Sequence, residues 1–467
     1  MTVSARAMAA ATPASRDRYV DLLRVASLAT VVCGHWLMAA VSTDGIGNLL
    51  ALVPPLQVLT WGLQVMPVFF FVGGFSHALS YRSLERRGEG RPVYAAFLRA
   101  RLQRLLRPTL VFVLVWAALA LLVQLAGADG GRLAGAALRM VTQPLWFIGI
   151  YLAMVALTPP LLRLHARWGW GAFAALAGAA ALVDVLRFAL GVPYAEFLNF
   201  AFVWLAVHQL GFLRADGRIT RPALLGAAGL AGAVLLVAAG PYPLSMVGMP
   251  GEKVSNMAPP TLALLCHGMW LVGAVQLLAR PATAWLARPR VWRGVVAANG
   301  VAMTAFLWHL TAMLGVYAAQ LAAGLALPEP ATAAWWAQVP PRILLAAALT
   351  AALVACFRRF EAPRPAPASP PAAPPADASA AQAAPPVAPA RTAAGAPYSG
   401  PAAALGTTLC LLGILGLSMT GLGGLLEGHT AVLIAFPVTA PAAIGMAVGG
   451  AWLVERSASA RRVRLRG

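Results

Sequence analysis

Apolar runs long enough to cross a membrane recur along nearly the whole chain of 467 residues. A bilayer core about 30 Å thick needs a helix of about 20 apolar residues. The main part of the chain contains such runs at about 20–41, 56–80, 109–127, 145–162, 171–190, 197–213, 222–239, 260–279, 297–322 and 341–357. Two more follow at about 402–424 and 430–453. The sequence therefore predicts an all-α, polytopic membrane helical bundle with about ten core transmembrane helices plus two C-terminal helices.

Charge is scarce in this chain and lies between the apolar runs. Charged residues make up 11% of the sequence, against roughly 25% in soluble domains, so lipid is the expected solvent. A net charge of +20 could indicate a nucleic-acid-binding protein. The basic residues, however, form short clusters between the runs, as the positive-inside rule describes. We therefore expect membrane lipids, and no nucleic acid, as partners.

The alternation of the basic loops predicts the orientation of the bundle. With a cytoplasmic N-terminus, the basic clusters fall on the cytoplasmic side, including eight arginines between Arg82 and Arg107. The basic residues that fall on the other side or near its edge are Arg132, Arg139, Arg187, Lys253 and Arg342. We expect a multi-pass protein of the inner (plasma) membrane with both its N-terminus and its C-terminus in the cytoplasm.

Composition divides the chain into five segments. A Pro/Ala-rich, almost uncharged stretch has too little apolar surface to bury and is typical of disordered linkers. The expected segments are a cytoplasmic N-terminal tail (1–18), a ten-helix membrane domain (19–360), a disordered cytoplasmic linker (361–401), a two-helix membrane appendage (402–455) and a basic cytoplasmic tail (456–467). The sequence leaves open whether the appendage packs on the membrane domain or mediates oligomers.

The first apolar run carries charged and titratable groups, which are costly within a membrane and therefore point to function. Arg24 precedes His35 by 11 residues, so both side chains lie on one helix face, about 16 Å apart along the axis. Asp21, one turn before Arg24, can pair with it. A histidine at mid-depth can act as a general base or a transient acyl acceptor. The alternatives are an arginine that snorkels to the headgroups and a histidine that only packs between helices.

Five motifs, in order, resemble the acyltransferase 3 family of membrane acyltransferases. The first is Arg24, ten intervening residues and His35 in the first helix. The others are MPVFFFVGGF (66–75), RLLRP (104–108), PLWF (144–147) and FLWH (306–309). The resemblance covers about residues 16–357 and ends before the linker. Two positions depart from the family pattern, because Gly73 replaces a serine and no acidic residue follows Phe147 closely.

The resemblance implies an enzyme, an acyltransferase that transfers groups other than amino-acyl groups. It would move an acyl group, with acetyl favoured, from cytoplasmic acyl-CoA to a hydroxyl of a glycan, lipid-linked sugar or small natural product. His35 and Arg24 are the expected catalytic residues, and Arg24, Arg104 and Arg107 would bind the CoA phosphates, because arginine forks suit phosphate oxygens. No metal is expected. Other candidate residues of the site wall are Asp21, Phe75, Trp146, Tyr151 and His309.

Two other functions remain open at this point. An uncoupled transporter or flippase would also be a polytopic bundle, and so would a non-enzymatic scaffold. Ion-coupled carriers usually place acidic residues within their helices, whereas these runs hold almost none besides Asp184, which is expected to neutralise Arg187. The arginine-rich residues 93–107 are expected either to lie on the inner membrane surface or to bind polyphosphate.

Overall fold

The computed structural model describes most of the chain. The described residues are 5–13, 16–42, 45–87, 93–125, 131–249, 252–361, 400–423, 425–426, 428, 430–433 and 436–457. The predicted linker lies outside them except at its two ends, and so do residues 1–4, 14–15 and 458–467 of the two predicted tails.

The described residues are mainly helical, and the bundle predicted from the sequence is confirmed. The helices are α1 (Ala5–Ala10), α2 (Arg18–Met38), α3 (Leu49–Leu52), α4 (Thr60–Leu63), α5 (Met66–Arg86), α6 (Val93–Leu125), α7 (Gly131–Met140), α8 (Leu145–Trp168), α9 (Trp170–Phe188), α10 (Asn199–Ala215), α11 (Pro222–Ala239), α12 (Leu262–Leu277), α13 (Ala279–Leu286), α14 (Pro289–Asn299), α15 (Ala302–Ala322), α16 (Ala333–Phe357), α17 (Gly400–Thr420) and α18 (Ala440–Ser457). Short 3-10 helices span Pro54–Leu59, Ala195–Leu198 and Arg358–Phe360. Within these ranges ten helical segments are long and apolar enough to cross a membrane, or eleven when α12 and α13, bent by 50°, count as one span.

Two antiparallel hairpins replace parts of the predicted helices. Strands β1 (Ala39–Ser42) and β2 (Gly45–Asn48) follow α2, which therefore ends three residues after His35. Strands β3 (Thr430–Leu433) and β4 (Phe436–Thr439) precede α18, so the second appendage helix begins ten residues later than expected. An apolar run does not by itself distinguish strand from helix, and only the packing of the first hairpin on α15 reveals the difference.

The arginine-rich segment 93–107 is not a separate surface helix. It continues through Pro108 into the third predicted span as the single helix α6. At about 1.5 Å per residue its 33 residues extend about 50 Å, well beyond the apolar core of a bilayer. The basic half of α6 therefore projects past one end of the bundle while remaining packed against α5 through the buried Leu98 and Leu102.

Helix α5 lies at the centre of the bundle and packs on α2, α6, α8, α10 and α12. Its closest neighbour is α10, because Gly74 and Gly211 let the two backbones touch. A Cβ atom at Gly74 would overlap the carbonyl oxygen of His208, and one at Gly211 would overlap that of Phe71. Small residues permit this close approach between membrane helices. This contact fixes the position along the bundle axis of the polar residues that follow Gly74 on α5.

The appendage packs on the membrane domain. Helix α17 lies against α8, and the Leu415 side chain occupies the space that a Cβ at Gly149 would need. Within the appendage, Gly413 of α17 packs directly on the α18 backbone at Ala443 and Ala447. The sequence left open whether the appendage packs on the domain or mediates oligomers. The structure shows the first arrangement.

Asp184 on α9 joins three parts of the chain through hydrogen bonds. Its carboxylate accepts from the Asn199 side chain at 2.9 Å, the Tyr242 hydroxyl at 2.9 Å and the Leu262 amide at 2.7 Å. The Arg187 guanidinium instead stacks over the Phe188 ring, 4.8 Å from its centroid. Among the described residues Asp184 and Arg187 form no direct ion pair, because neighbouring helix and loop donors bind the carboxylate, although the Arg187 charge still acts on it electrostatically.

Replacing Asp184 with alanine is expected to destabilise the protein by about 2–5 kcal/mol, since it leaves buried donors without an acceptor. The measurement is the midpoint of thermal unfolding of the purified protein in detergent. Arg187→Gln is the matched control and should cost less than about 1 kcal/mol, because it breaks no ion pair. An equal loss in both variants would mean that Asp184 depends on Arg187 after all.

Candidate active site

The face of α2 that carries Arg24 and His35 points into the bundle. Asp17 starts the helix by accepting hydrogen bonds from the amides of Tyr19 and Val20. At 100° per residue, Arg24 and His35 lie on the same face as the buried Leu28. The exposed residues Ala26, Ala29 and Cys33 lie on the opposite face. The 11-residue spacing therefore places the Arg24 and His35 side chains on the inward face of α2.

His35 forms a pair with His309 of α15. His35 Nδ1 lies 2.7 Å from His309 Nε2, and the two rings stack with centroids 5.0 Å apart and planes at 9°. The Trp36 indole donates to the His309 carbonyl at 3.0 Å and thereby ties α2 to α15 beside the pair. The first and the last of the sequence motifs thus meet, although 274 residues separate His35 from His309.

Hydrogen-bond partners assign the protons of this pair. His309 Nδ1 lies 2.5 Å from the Phe306 carbonyl oxygen, which can only accept, so Nδ1 carries the proton. In a neutral ring His309 Nε2 is then an acceptor, and His35 Nδ1 must be the donor to it. The remaining nitrogen, His35 Nε2, therefore keeps its lone pair. This arrangement, a base oriented by a second group, is the one that proton-transfer sites use.

His35 is accessible while its partner is buried. The His35 side chain is exposed although it lies on the inward face of α2, whereas His309 is fully buried. At the preceding Gly34, an added Cβ would meet no atom within 4 Å. Open space therefore lies beside this turn of α2, and a reacting group can reach the His35 ring.

Arg24 is held between an acidic residue and α5. Its Nη1 donates to Asp21 at 3.1 Å, and its Nη2 donates to the Ser76 hydroxyl at 3.1 Å. Asp21 also accepts from Arg16 at 2.6 Å and is almost completely buried. Asp21 therefore orients Arg24, and its single carboxylate is shared by two cations.

A second arginine, Arg101 of α6, converges on the same turn of α5. Its Nη2 donates to the Ser76 carbonyl at 2.9 Å and contacts the Ser80 hydroxyl. The sequence analysis did not single it out. The signal was present, because Arg101 lies at helical spacing between Leu98 and Leu105 on the apolar face of that helix. Arg24 and Arg101 thus form a pair of inward-facing guanidinium groups around Ser76.

Arg104 and Arg107, the predicted phosphate clamp, are both exposed. Neither makes a hydrogen bond or an ion pair with another part of the chain that the structure describes. They lie on the same basic end of the bundle as Arg101 but do not join it at Ser76. The structure therefore brings Arg24 together with Arg101 and leaves the two predicted residues at the surface.

The remaining predicted wall residues lie on α5 and α8. Phe75 packs under the Arg214 guanidinium, 5.2 Å from its ring centroid. Trp146 packs on Phe147 and Trp204 in the core. The Tyr151 hydroxyl forms a hydrogen bond of 2.9 Å with His77 Nε2, in a second buried cluster. None of the three is in contact with His35 in the structure.

That second cluster is a buried polar chain beside the first. His77 Nδ1 lies 3.0 Å from His208 Nε2, and both rings are fully buried. Aromatic rings connect the two clusters, since Phe147 contacts Tyr151 on one side and Phe306 on the other. Phe306 in turn lies 5.7 Å from the His309 ring. The full burial of His77 and His208 agrees with a role in helix packing.

The basic end of the bundle is closed by ion pairs between helices. Arg82 and His165 both bind Asp216, at 2.5 and 2.9 Å, and Arg214 binds Asp17 at 2.7 Å. Burial alone would raise the pKa of Asp216, but the hydrogen bonds from Arg82 and His165 hold that pKa below its ordinary value. Among the residues that the structure describes, no group of three or more His, Cys, Asp or Glu side chains could hold a metal ion.

A multi-pass helical bundle with an accessible histidine, oriented by a second histidine, defines a membrane protein with a candidate proton-transfer site. Residues 17–358 match the family model of acyltransferase family 3, described as an acyltransferase domain. Because this match spans well over half of the chain, the protein belongs to the acyltransferase 3 family. Comparisons with curated proteins and with solved structures give no match. The matched region contains α2 to α16 and ends before the appendage.

Proposed function

We propose that this membrane acyltransferase moves an acyl group, acetyl in the favoured case, from acyl-CoA to a hydroxyl group of a second substrate. The observation that carries the proposal is the free Nε2 of His35, an accessible histidine that His309 orients. A neutral imidazole in this state can remove a hydroxyl proton. The acceptor would be a glycan, a lipid-linked sugar or a small natural product.

We also propose that the basic end of the bundle faces the cytoplasm, where acyl-CoA is found. The positive-inside distribution of the arginines supports this orientation, and the ion pairs of Arg82 and Arg214 lie at that end. The protein would then be a multi-pass component of the inner (plasma) membrane with both termini in the cytoplasm.

The CoA phosphates would bind at Arg24 and Arg101. Two guanidinium groups that converge on one helix turn provide several donors in fixed directions, which suits phosphate oxygens. The donor's pantetheine arm would then follow the inward face of α2 from Arg24 toward His35, a distance of about 16 Å along the axis. Arg104 and Arg107 would meet the nucleotide further out, at the surface.

The proposed reaction needs one base and no change of oxidation state. The acceptor oxygen attacks the thioester carbonyl carbon while His35 Nε2 takes the hydroxyl proton. The new C–O bond forms, the C–S bond breaks, and the CoA thiolate leaves and receives the proton from His35. In the alternative order, His35 Nε2 first forms a C–N bond to the acyl carbon while the C–S bond breaks and the CoA thiolate leaves. The acceptor oxygen then forms the C–O bond while the C–N bond breaks, and the hydroxyl proton balances the charge of the released thiolate.

The test of this function is acyl transfer by the purified full-length protein in proteoliposomes. With acetyl-CoA and a mixture of glycan acceptors, we expect release of free CoA thiol that depends on the acceptor, together with an acetyl ester on one of the glycans. Movement of a solute across the vesicle membrane without any CoA release would contradict the proposal and indicate a transporter.

The inward-facing pair, Arg24 and Arg101, and the surface pair, Arg104 and Arg107, lead to different predictions for acyl-CoA binding. Arg101→Gln is expected to raise the KM for acetyl-CoA about tenfold or more, because an inward-facing charged hydrogen bond contributes about 1.5–3 kcal/mol. Arg104→Gln should raise it less than about fivefold, because exposed charge pairs contribute at most about 1 kcal/mol. The measurement is the initial rate of CoA release against acetyl-CoA concentration. The reverse order would favour the surface clamp predicted from the sequence.

A further inference from the structure

A second recognition element lies on the far side of the histidine pair from Arg24. Helices α2, α15 and α16 line a narrow, partly open cleft with about 10 Å³ of free space. Its lining includes Trp36, Met313, Tyr317, Trp335 and Arg342. Trp36 directly follows His35 and donates to the His309 carbonyl, so the cleft begins near the histidine pair.

Arg342 is a buried cation without a carboxylate partner in the described part of the chain. Its side chain is 8% exposed and stacks on the Tyr317 ring, 4.9 Å from the centroid. Nε donates to Gln320 at 3.3 Å and Nη2 donates to Gln338, both neutral acceptors. Nη1 has no hydrogen-bond partner. A buried charge is normally paired, so this guanidinium retains capacity for an anion.

The position of Arg342 relative to the reaction site follows from helix geometry. Tyr317, on which Arg342 stacks, lies eight residues beyond His309 on α15, or about 12 Å along the axis. Arg24 lies on the other side of the pair, about 16 Å away along α2. The donor and this cleft therefore approach the histidines from opposite ends, which is the arrangement that a transfer between two substrates requires.

We propose that this cleft widens to bind the acceptor and that the acceptor carries an oxyanion, a carboxylate or a phosphate, which binds Arg342. This inference rests on the proposed acyl transfer for the role of the bound molecule. Arginine forks pair with planar oxyanions, and the aromatic walls from Trp36, Tyr317 and Trp335 supply the apolar contact typical of small-molecule sites. The acylated hydroxyl would then lie near His35, with the negative charge one or two sugar units away. The substrate class is an acidic glycan or an acidic sugar-containing metabolite.

The experiment measures binding, so that it does not depend on catalysis. Methyl β-glucoside, methyl β-glucuronide and methyl β-glucoside 6-phosphate differ only in the group at carbon 6. Their affinities for the full-length protein in detergent are measured by equilibrium dialysis, in the native protein and in His35→Asn. We expect both acidic sugars, or one of them, to bind at least tenfold more tightly than the neutral sugar in both proteins. The acidic sugar that binds more tightly shows whether carboxylate or phosphate is preferred.

Arg342→Gln is expected to reduce the affinity for the acidic sugars about tenfold to a hundredfold and to leave the neutral sugar unchanged. Arg342→Lys, which keeps the charge but loses the fork, should retain part of the preference. Arg187→Gln is the matched control, because Arg187 also stacks on an aromatic ring and has an unpartnered Nη1. Equal binding of the three sugars, no binding of either acidic sugar, or an undiminished preference in Arg342→Gln would overturn the proposal. If the protein bound the acidic sugars selectively but transferred no acyl group, the anion-binding site at Arg342 would stand and only the proposed acyl transfer would be contradicted.

Discussion

Replacing His35 with asparagine is expected to reduce acyl transfer by about 10²–10⁴-fold while the protein remains folded in the membrane. The asparagine amide can still donate to His309 Nε2, as His35 Nδ1 does at 2.7 Å. It has no group in the place of Nε2, however, so neither proton removal nor acyl transfer through nitrogen remains. The measurement is acceptor-dependent CoA release, with size-exclusion chromatography in detergent as the check on folding.

Two further variants separate the chemistry from general damage to α2. Cys33→Ala changes an exposed residue on the opposite face, two positions before His35, and should leave the rate unchanged. His309→Gln changes a positioning residue and should lower kcat about tenfold without changing the KM for acetyl-CoA, because the donor contacts lie elsewhere. Full activity in His35→Asn would end the proposed mechanism. A comparable loss in Cys33→Ala would show that the helix, and not the imidazole, is responsible.

Replacing Gly74 with alanine is expected to destabilise the protein by about 3 kcal/mol, the upper end of the range for overpacked cores. The new methyl group would overlap the His208 carbonyl and lie 3.2 Å from the Gly211 Cα atom, so only movement of one helix can accommodate it. That movement would also displace Ser76, the residue that Arg24 and Arg101 share. We therefore expect a lower unfolding temperature together with a higher KM for acetyl-CoA.

Gly73 provides the control on the same turn of α5. A Cβ at Gly73 would meet only the edge of the Tyr151 ring, at 3.4 Å, which is ordinary packing distance for a side chain that can adjust. Gly73→Ala should therefore change stability by less than about 1 kcal/mol, with the gain in helix propensity offsetting the contact. If Gly73→Ala proved as harmful as Gly74→Ala, the α5–α10 backbone contact would not be the cause.

Local periodicity accounts for the part of the site that could be predicted. Arg24 and His35 belong to one helix, and a helix fixes the relative direction of residues 11 positions apart regardless of what surrounds it. The same local rule could have revealed Arg101, which shares a helix face with Leu98 and Leu105. The exposed Arg104 and Arg107 were singled out instead because they match a motif, and a motif does not specify which way a side chain points.

The sequence by itself determined the bundle and the inward face of α2, because both follow from hydrophobic length and helical period. Tertiary structure alone decided that His309 orients His35 across 274 residues, that Asp184 binds Tyr242 and Asn199 instead of Arg187, and that the appendage packs on α8. The physical reason is that each of these contacts depends on which helices become neighbours. That choice is made by shape, such as the close approach at Gly74, and an apolar run carries almost no information about shape.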